Sequence, residues 1–312
     1  MLSRTADNLY WLARYVERAE NLARLVDVGQ RMASLAPVSA GGNSEWHSTV
    51  IASGCEGTFY KKHSEADAES VIHHLVLDPD NPSSIWSCLA TARQNARAIR
   101  TALTVDMWEA VNSTWLELQT AREDFSMERL PRLLDWIKER SLLFNGTVTN
   151  TMLRKDAYWF TRLGTFIERG DNTARILDVK YHVLLPQYES VGGTLDYYQW
   201  ASILRSVSAL RGYHWVYSGR LKPWLVAELL ILRPEMPRSL VTCFNEIMVY
   251  LGLLASVYGT EGECHRLAGK MQTLLNSTKV EDIFQSGLHQ FLTDVIDTTA
   301  VLGNEITKQY LI

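Results

Sequence analysis

ERAENLARLVDV, residues 17–28, returns as ERGDNTARILDV at residues 168–179, with seven of twelve positions identical and four more conservatively changed. A second pair, LVLDPDNPSSI at 75–85 and LILRPEMPRSL at 230–240, shares five of eleven positions. The offsets are 151 and 155, so the two matches keep their order and differ by a few loop residues. Ordered self-similarity of this kind is the mark of a repeated structural unit. The chain is therefore read as all-α, a multi-helix bundle formed by internal duplication, with residues 1–155 and 156–312 packed as one pseudo-twofold domain.

Each unit opens on a long predicted helix, 4–33 and 156–184. On the first, Leu9, Leu12, Val16, Ala19, Ala23 and Val26 recur at spacings of three and four, as do Phe160, Leu163, Ile167, Gly170, Ala174 and Leu177 on the second. Such a stripe is the core-facing side of a helix. The small residues Ala19, Ala23, Gly170 and Ala174 are expected to let the two helices pair closely at the centre. Asn81 and Pro82 read as N-cap and first residue of a helix reaching about Arg100, whereas Met236 and Pro237 keep the proline and lose the cap. Further helices are predicted near 104–122, 126–145, 195–217, 222–232, 262–276 and 280–309, with loops at 35–45 and 186–194. Only 8 Pro and 18 Gly interrupt 312 residues, as long helices require.

A net charge of −4 with no dense Lys/Arg run argues against nucleic acid or an anionic membrane surface. The longest apolar stretch, 247–258, falls short of the roughly 20 residues that span a bilayer. Cys55, Cys88, Cys243 and Cys264 form no CxxC pair and follow no secretory signal, so a cytoplasmic protein with reduced thiols is expected. Homo-oligomerisation is compatible with the sequence.

Beside each apolar seam runs a charged stripe: Glu17, Glu20, Arg24 and Asp27, then Glu168, Asp171, Arg175 and Asp178. Glu20 with Arg24, and Asp171 with Arg175, could be surface i,i+4 ion pairs contributing about 0.2–0.5 kcal/mol each. That reading does not explain why the stripe, with Arg18/Arg169 and Asn21/Asn172, is shared by both units. A structural polar network and a ligand or catalytic site both stay open, with Glu17 and Glu168 the candidate acid/base residues. A di-metal carboxylate bundle would need Glu-x-x-His pairs, and no histidine has an acid three positions before it, so no metal is expected. Arg93, Arg97 and Arg100 share a face of the helix after Pro82 and could clamp a carboxylate or phosphate. The matched positions Met248, Gly252 and Ala255 carry no charge. No Walker A loop, GxGxxG or GxSxG elbow is present, and no cofactor is implied.

LSRTADNLYWLARYVERAENLARLVDV, LVLDPDNPSSI, ARQNARAIR and YWFTRLGTFIERGDNTARILDV together resemble the alpha-E domain family, over essentially the whole chain. Glu17, Arg18, Asn21, Arg24, Arg93, Asn95, Arg97, Glu168, Arg169, Asn172 and Arg175 match its motif segments, while Arg233 and Met236 depart from them in the second turn. The resemblance implies an all-helical protein acting beside a circularly permuted ATP-grasp amide ligase, with a transglutaminase-like peptidase as a further partner. It implies no established reaction. The chain is thus expected to be an accessory or substrate-binding subunit in peptide- or amide-bond formation. A stand-alone Glu/Arg acid–base enzyme and a purely structural scaffold are the alternatives.

Overall fold

The computed structural model describes residues 1–35, 45–182 and 193–311. Among the described residues there are fifteen α-helices and no strand: α1 (Ser3–Ala33), α2 (Glu45–Ser53), α3 (Glu56–Phe59), α4 (Ala68–Ile72), α5 (Ile85–Ala98), α6 (Val105–Glu123), α7 (Leu130–Thr151), α8 (Asp156–His182), α9 (Thr194–Ser206), α10 (Leu210–Val216), α11 (Pro223–Ile231), α12 (Leu240–Tyr258), α13 (Glu263–Ser277), α14 (Val280–Ser286) and α15 (Leu288–Ile306). Most of the loop expected at 35–45, and all of that at 186–194 except its last two residues, lies outside the described residues, as does the end of the helix predicted to reach 184.

α1 and α8 lie side by side at the centre and run in the same direction. Tyr10 meets Gly164, Arg14 meets Glu168 and Glu17 meets Arg169, so both numbers rise together along the pair. All twelve predicted seam residues are buried, but the small ones do different work from that expected. Ala19, Ala23 and Val26 pack in a core with Cys88 and Leu89 of α5, and a Cβ on Gly170 would touch Cys243 and Phe244 of α12. The first seam thus divides: Leu9, Leu12 and Val16 share a core with Phe160, Leu163, Ile167, Ala174 and Leu177 of α8, while its later residues turn to α5. The glycine of the central contact is Gly164, where any Cβ would run into the Tyr10 carbonyl oxygen. It lets two backbones meet where side chains would hold them apart.

α5 and α12 start three residues later than the prolines suggested. Ser84 and Ser239 are the caps, accepting from Ser87 N at 3.1 Å and Thr242 N at 3.2 Å. Ser87 and Thr242 in turn donate to the carbonyls of Pro79 and Pro234. The second turn therefore does not lack a cap. Asn81 instead ties the turn, donating to the His74 carbonyl at 2.9 Å and accepting from Ser83 N at 3.0 Å.

Two predicted helices are broken: 195–217 at Val207–Ala209, where Ser208 has φ 59°, and 280–309 at Gly287, φ 99°. Between α1 and the first proline turn the chain continues through the short helices α2, α3 and α4 and the π-helical turn His73–Leu77. The apolar stretch at 247–258 belongs to the longer α12, which by length and composition alone could cross a membrane. Half of it is buried against the rest of the protein, with Cys243, Phe244, Ile247, Leu251 and Leu254 facing inward.

Candidate functional site

The repeated ER dipeptides fall on facing sides of the α1/α8 pair and bind each other crosswise. Arg169 donates Nε to Glu17 Oε1 at 2.8 Å and Nη2 to Oε2 at 2.9 Å. Arg18 does the same to Glu168, Nε to Oε1 at 2.5 Å and Nη2 to Oε2 at 3.0 Å. Both are forked guanidinium–carboxylate pairs, the strongest geometry such groups adopt. Each guanidinium also lies over an aromatic ring one turn back, Arg18 over Tyr15 and Arg169 over Phe166.

Each carboxylate recruits one more arginine, and the two choices differ. Glu168 accepts from Arg14 Nε at 2.8 Å, whereas Glu17 accepts from Arg238 Nη1 at 3.1 Å. Arg238 also binds Glu20, which pairs with Arg24 at 2.6 Å and accepts the Ser141 hydroxyl at 2.5 Å. Arg24 reaches on to the Ser206 carbonyl, linking α1 to α9. Glu17, Glu20, Arg24 and Glu168 are all buried. Glu17, Glu20, Arg24 and Glu168 thus form a shared interior network rather than a row of surface pairs. Asp171 and Arg175 come closest to the surface reading, a partly buried i,i+4 pair at 2.6 Å.

Burial by itself would push these carboxyls up, but the arginines reverse the sign. Arg18 and then Arg14 hold Glu168 down to about 2, and Arg238, Arg24 and the Ser141 hydroxyl hold Glu20 at about 2. Both are fixed anions at neutral pH. Arg18 and Arg169 are shifted upward by their glutamates in spite of burial.

The other candidates are not drawn into this network. Arg93 donates to Asn112 Oδ1 at 2.9 Å, Arg100 lies over the Trp108 ring, and Arg97 is exposed, so the arginine face of α5 opens to solvent. Asn95 is half-buried on the same helix. Asn172 donates to the Glu168 carbonyl at 2.9 Å. Asn21 is buried, and neither amide atom has a hydrogen-bond partner among the described residues.

Arg14, Arg238 and Ser141 complete the network and were not singled out from sequence. Arg14 and Arg238 had a signal: Thr165 and Ser83 stand at the positions the sequence matches pair with them, so each arginine departs from the internal match. Ser141, on α7, had none.

The sequence profile of the Alpha-E family, described as a predicted alpha-helical domain with a conserved ER motif, matches residues 1–311. An uncharacterized protein of Mycobacterium bovis and one of Mycobacterium tuberculosis are each 23% identical over 94% of this chain. The chain spans only 36% of either relative's length. No solved structure matches it significantly. An ER dipeptide on each of two adjacent helices is what the crosswise lock requires, and with the profile covering the chain from end to end, the protein belongs to the Alpha-E family.

Proposed function

We propose that the chain is an accessory or substrate-binding subunit working beside an ATP-dependent amide or peptide ligase of the circularly permuted ATP-grasp type, in a cytoplasmic setting. The observation that carries this reading is the lock itself. A general acid or base must exchange its proton near working pH and reach its substrate. Glu17 and Glu168 are buried, each bound by two arginines, and Glu168 is held near 2. That favours a non-catalytic role over Glu/Arg acid–base chemistry. The solvent-facing arginines Arg93, Arg97 and Arg100 are suited to an anionic substrate group or an acidic patch on the ligase.

The mycobacterial relatives hold the matched segment within a much longer chain, which supports a module that acts alongside other domains. The four cysteines, buried and unpaired, suit a reducing compartment. A transglutaminase-like peptidase is a second partner of the same pathway class. The test is reconstitution: ATP turnover and product formation by the ligase with this protein, without it, and with an Arg93→Ala/Arg97→Ala variant of unchanged helicity. Stimulation by the wild type and its loss in the variant are expected. Turnover by the isolated protein, or a ligase indifferent to it, overturns the reading.

A further inference from the structure

Asp178 lies near the C-terminal end of α8, and two imidazoles turn ring nitrogens onto its carboxylate. His289, in the first turn of α15, places Nδ1 2.6 Å from Oδ1. His182, one turn further along α8, places Nε2 3.4 Å from Oδ2. One donor atom from each residue lies within 4.8 Å of the others. We propose that Asp178, His182 and His289 form a binding site for a divalent transition-metal ion of the zinc type, with water completing its coordination.

Two imidazole nitrogens and one carboxylate oxygen are a ligand set that such ions take, with a position left open for water. The i,i+4 spacing puts Asp178 and His182 on one helical face, and 3.4 Å is close to the separation of two ligands at about 2.0–2.1 Å from a tetrahedral ion. The ion would take the place of the hydrogen bond between Asp178 and His289. Exposure rises outward, from 10% for the Asp178 side chain to 19% for His182 and 34% for His289, giving a closed floor and an open side. Tyr181 stacks on His289 at 3.8 Å and 4°, fixing its ring plane. Lys180, in the same turn, is engaged by Asp196 and Gln199.

The chain contains its own control. Asp27, Arg31 and Lys138 stand 151 positions before these three residues. Around Asp27, Arg31 Nε lies 3.0 Å from Oδ1, and Lys138, paired with Asp135 at 2.7 Å, places Nζ 3.8 Å from Oδ2. There the aspartate is held by permanent cations, which tether the helices and cannot ligate. Around Asp178 both cations are replaced by histidine, which hydrogen-bonds a carboxylate and also coordinates metal. A tether alone needs no such double change.

The test is calorimetric titration of the full chain with Zn²⁺, compared with a His182→Arg/His289→Lys variant that installs the partners found around Asp27. One equivalent should bind the wild type, the variant, left with one of three ligands, should bind at least about a hundredfold more weakly, beyond the loss typical of outer-shell changes, and Zn²⁺ should raise Tm only in the wild type. Ring ¹⁵N spectra of the wild type give a reading that needs no variant: Zn²⁺ should shift His182 Nε2 and His289 Nδ1 and leave His63 and His74 in place. Absence of saturable binding, equal binding by both proteins, or shifts at other histidines instead overturns the site.

Discussion

Glu17 on α1 and Arg169 on α8 meet in a two-bonded clamp, and the residues that follow and precede them, Arg18 and Glu168, form the same clamp with the roles exchanged. A buried pair adds little stability over an apolar substitute, yet removing one partner strands the other. Glu17→Ala leaves Arg169 and Arg238 without their shared anion and should cost about 3–5 kcal/mol in urea unfolding. The exposed Glu109→Ala should stay within about 0.5 kcal/mol. Equal losses would return the stripe to an ordinary charged surface.

Acid should unlock the network within a defined window. Glu168 and Glu20 have folded values of about 2, below their ordinary 4.5. Their contribution is therefore fully present above about pH 4.5 and is lost as pH falls towards 2, on the order of 3 kcal/mol for each carboxyl. Unfolding midpoints measured down this range should drop steeply for the wild type and more gently for Glu168→Gln, which has no proton to gain.

Two helical glycines should answer alanine with opposite signs. Gly164 has the Tyr10 carbonyl where a Cβ would go, and Gly146 on α7 has nothing within 4 Å. Gly164→Ala must part α1 from α8 and should destabilise by about 1–3 kcal/mol. Gly146→Ala gains helix propensity and should stabilise by up to about 1 kcal/mol. Thermal melts of the two variants decide it.

If residues 1–155 and 156–312 are copies of one unit, neither should fold alone, because the lock takes its acids and bases from both. Residues 1–155 would keep Glu17 without Arg169 or Arg238, and Arg18 without Glu168. Circular dichroism of each fragment should show reduced helicity, recovered on mixing. A fully helical, cooperatively melting fragment 1–155 would contradict this.

Helix content and the importance of the ER stripe were legible because both are written locally: the seam residues recur every three or four positions, and the stripe recurs at a fixed offset. What the stripe does was not legible. For Glu17 and Glu20 a polar network and a ligand site both stayed open, since nothing near them in sequence announces Arg238, which arrives 221 and 218 positions later. Propensity also misplaced the caps. Pro82 drew attention to Asn81, whereas the helix begins only after the turn has closed on Ser84. His289 escaped the metal search for the same reason as Arg238: its partner on α8 is brought near only by the packing of α15.

The distance between partners in the lock has a consequence for how the chain is made. Glu17 leaves the ribosome with its neighbouring arginines on the same helix, but its clamp waits for Arg169, and at ordinary elongation rates that is on the order of ten seconds later. Until then α1 carries Glu17 without its cross-helix partner, while Ala19, Ala23 and Val26 can already pack on α5. The central α1/α8 pair can therefore close only once the first half of the chain has been made, and the Glu17 site is complete only when Arg238 follows.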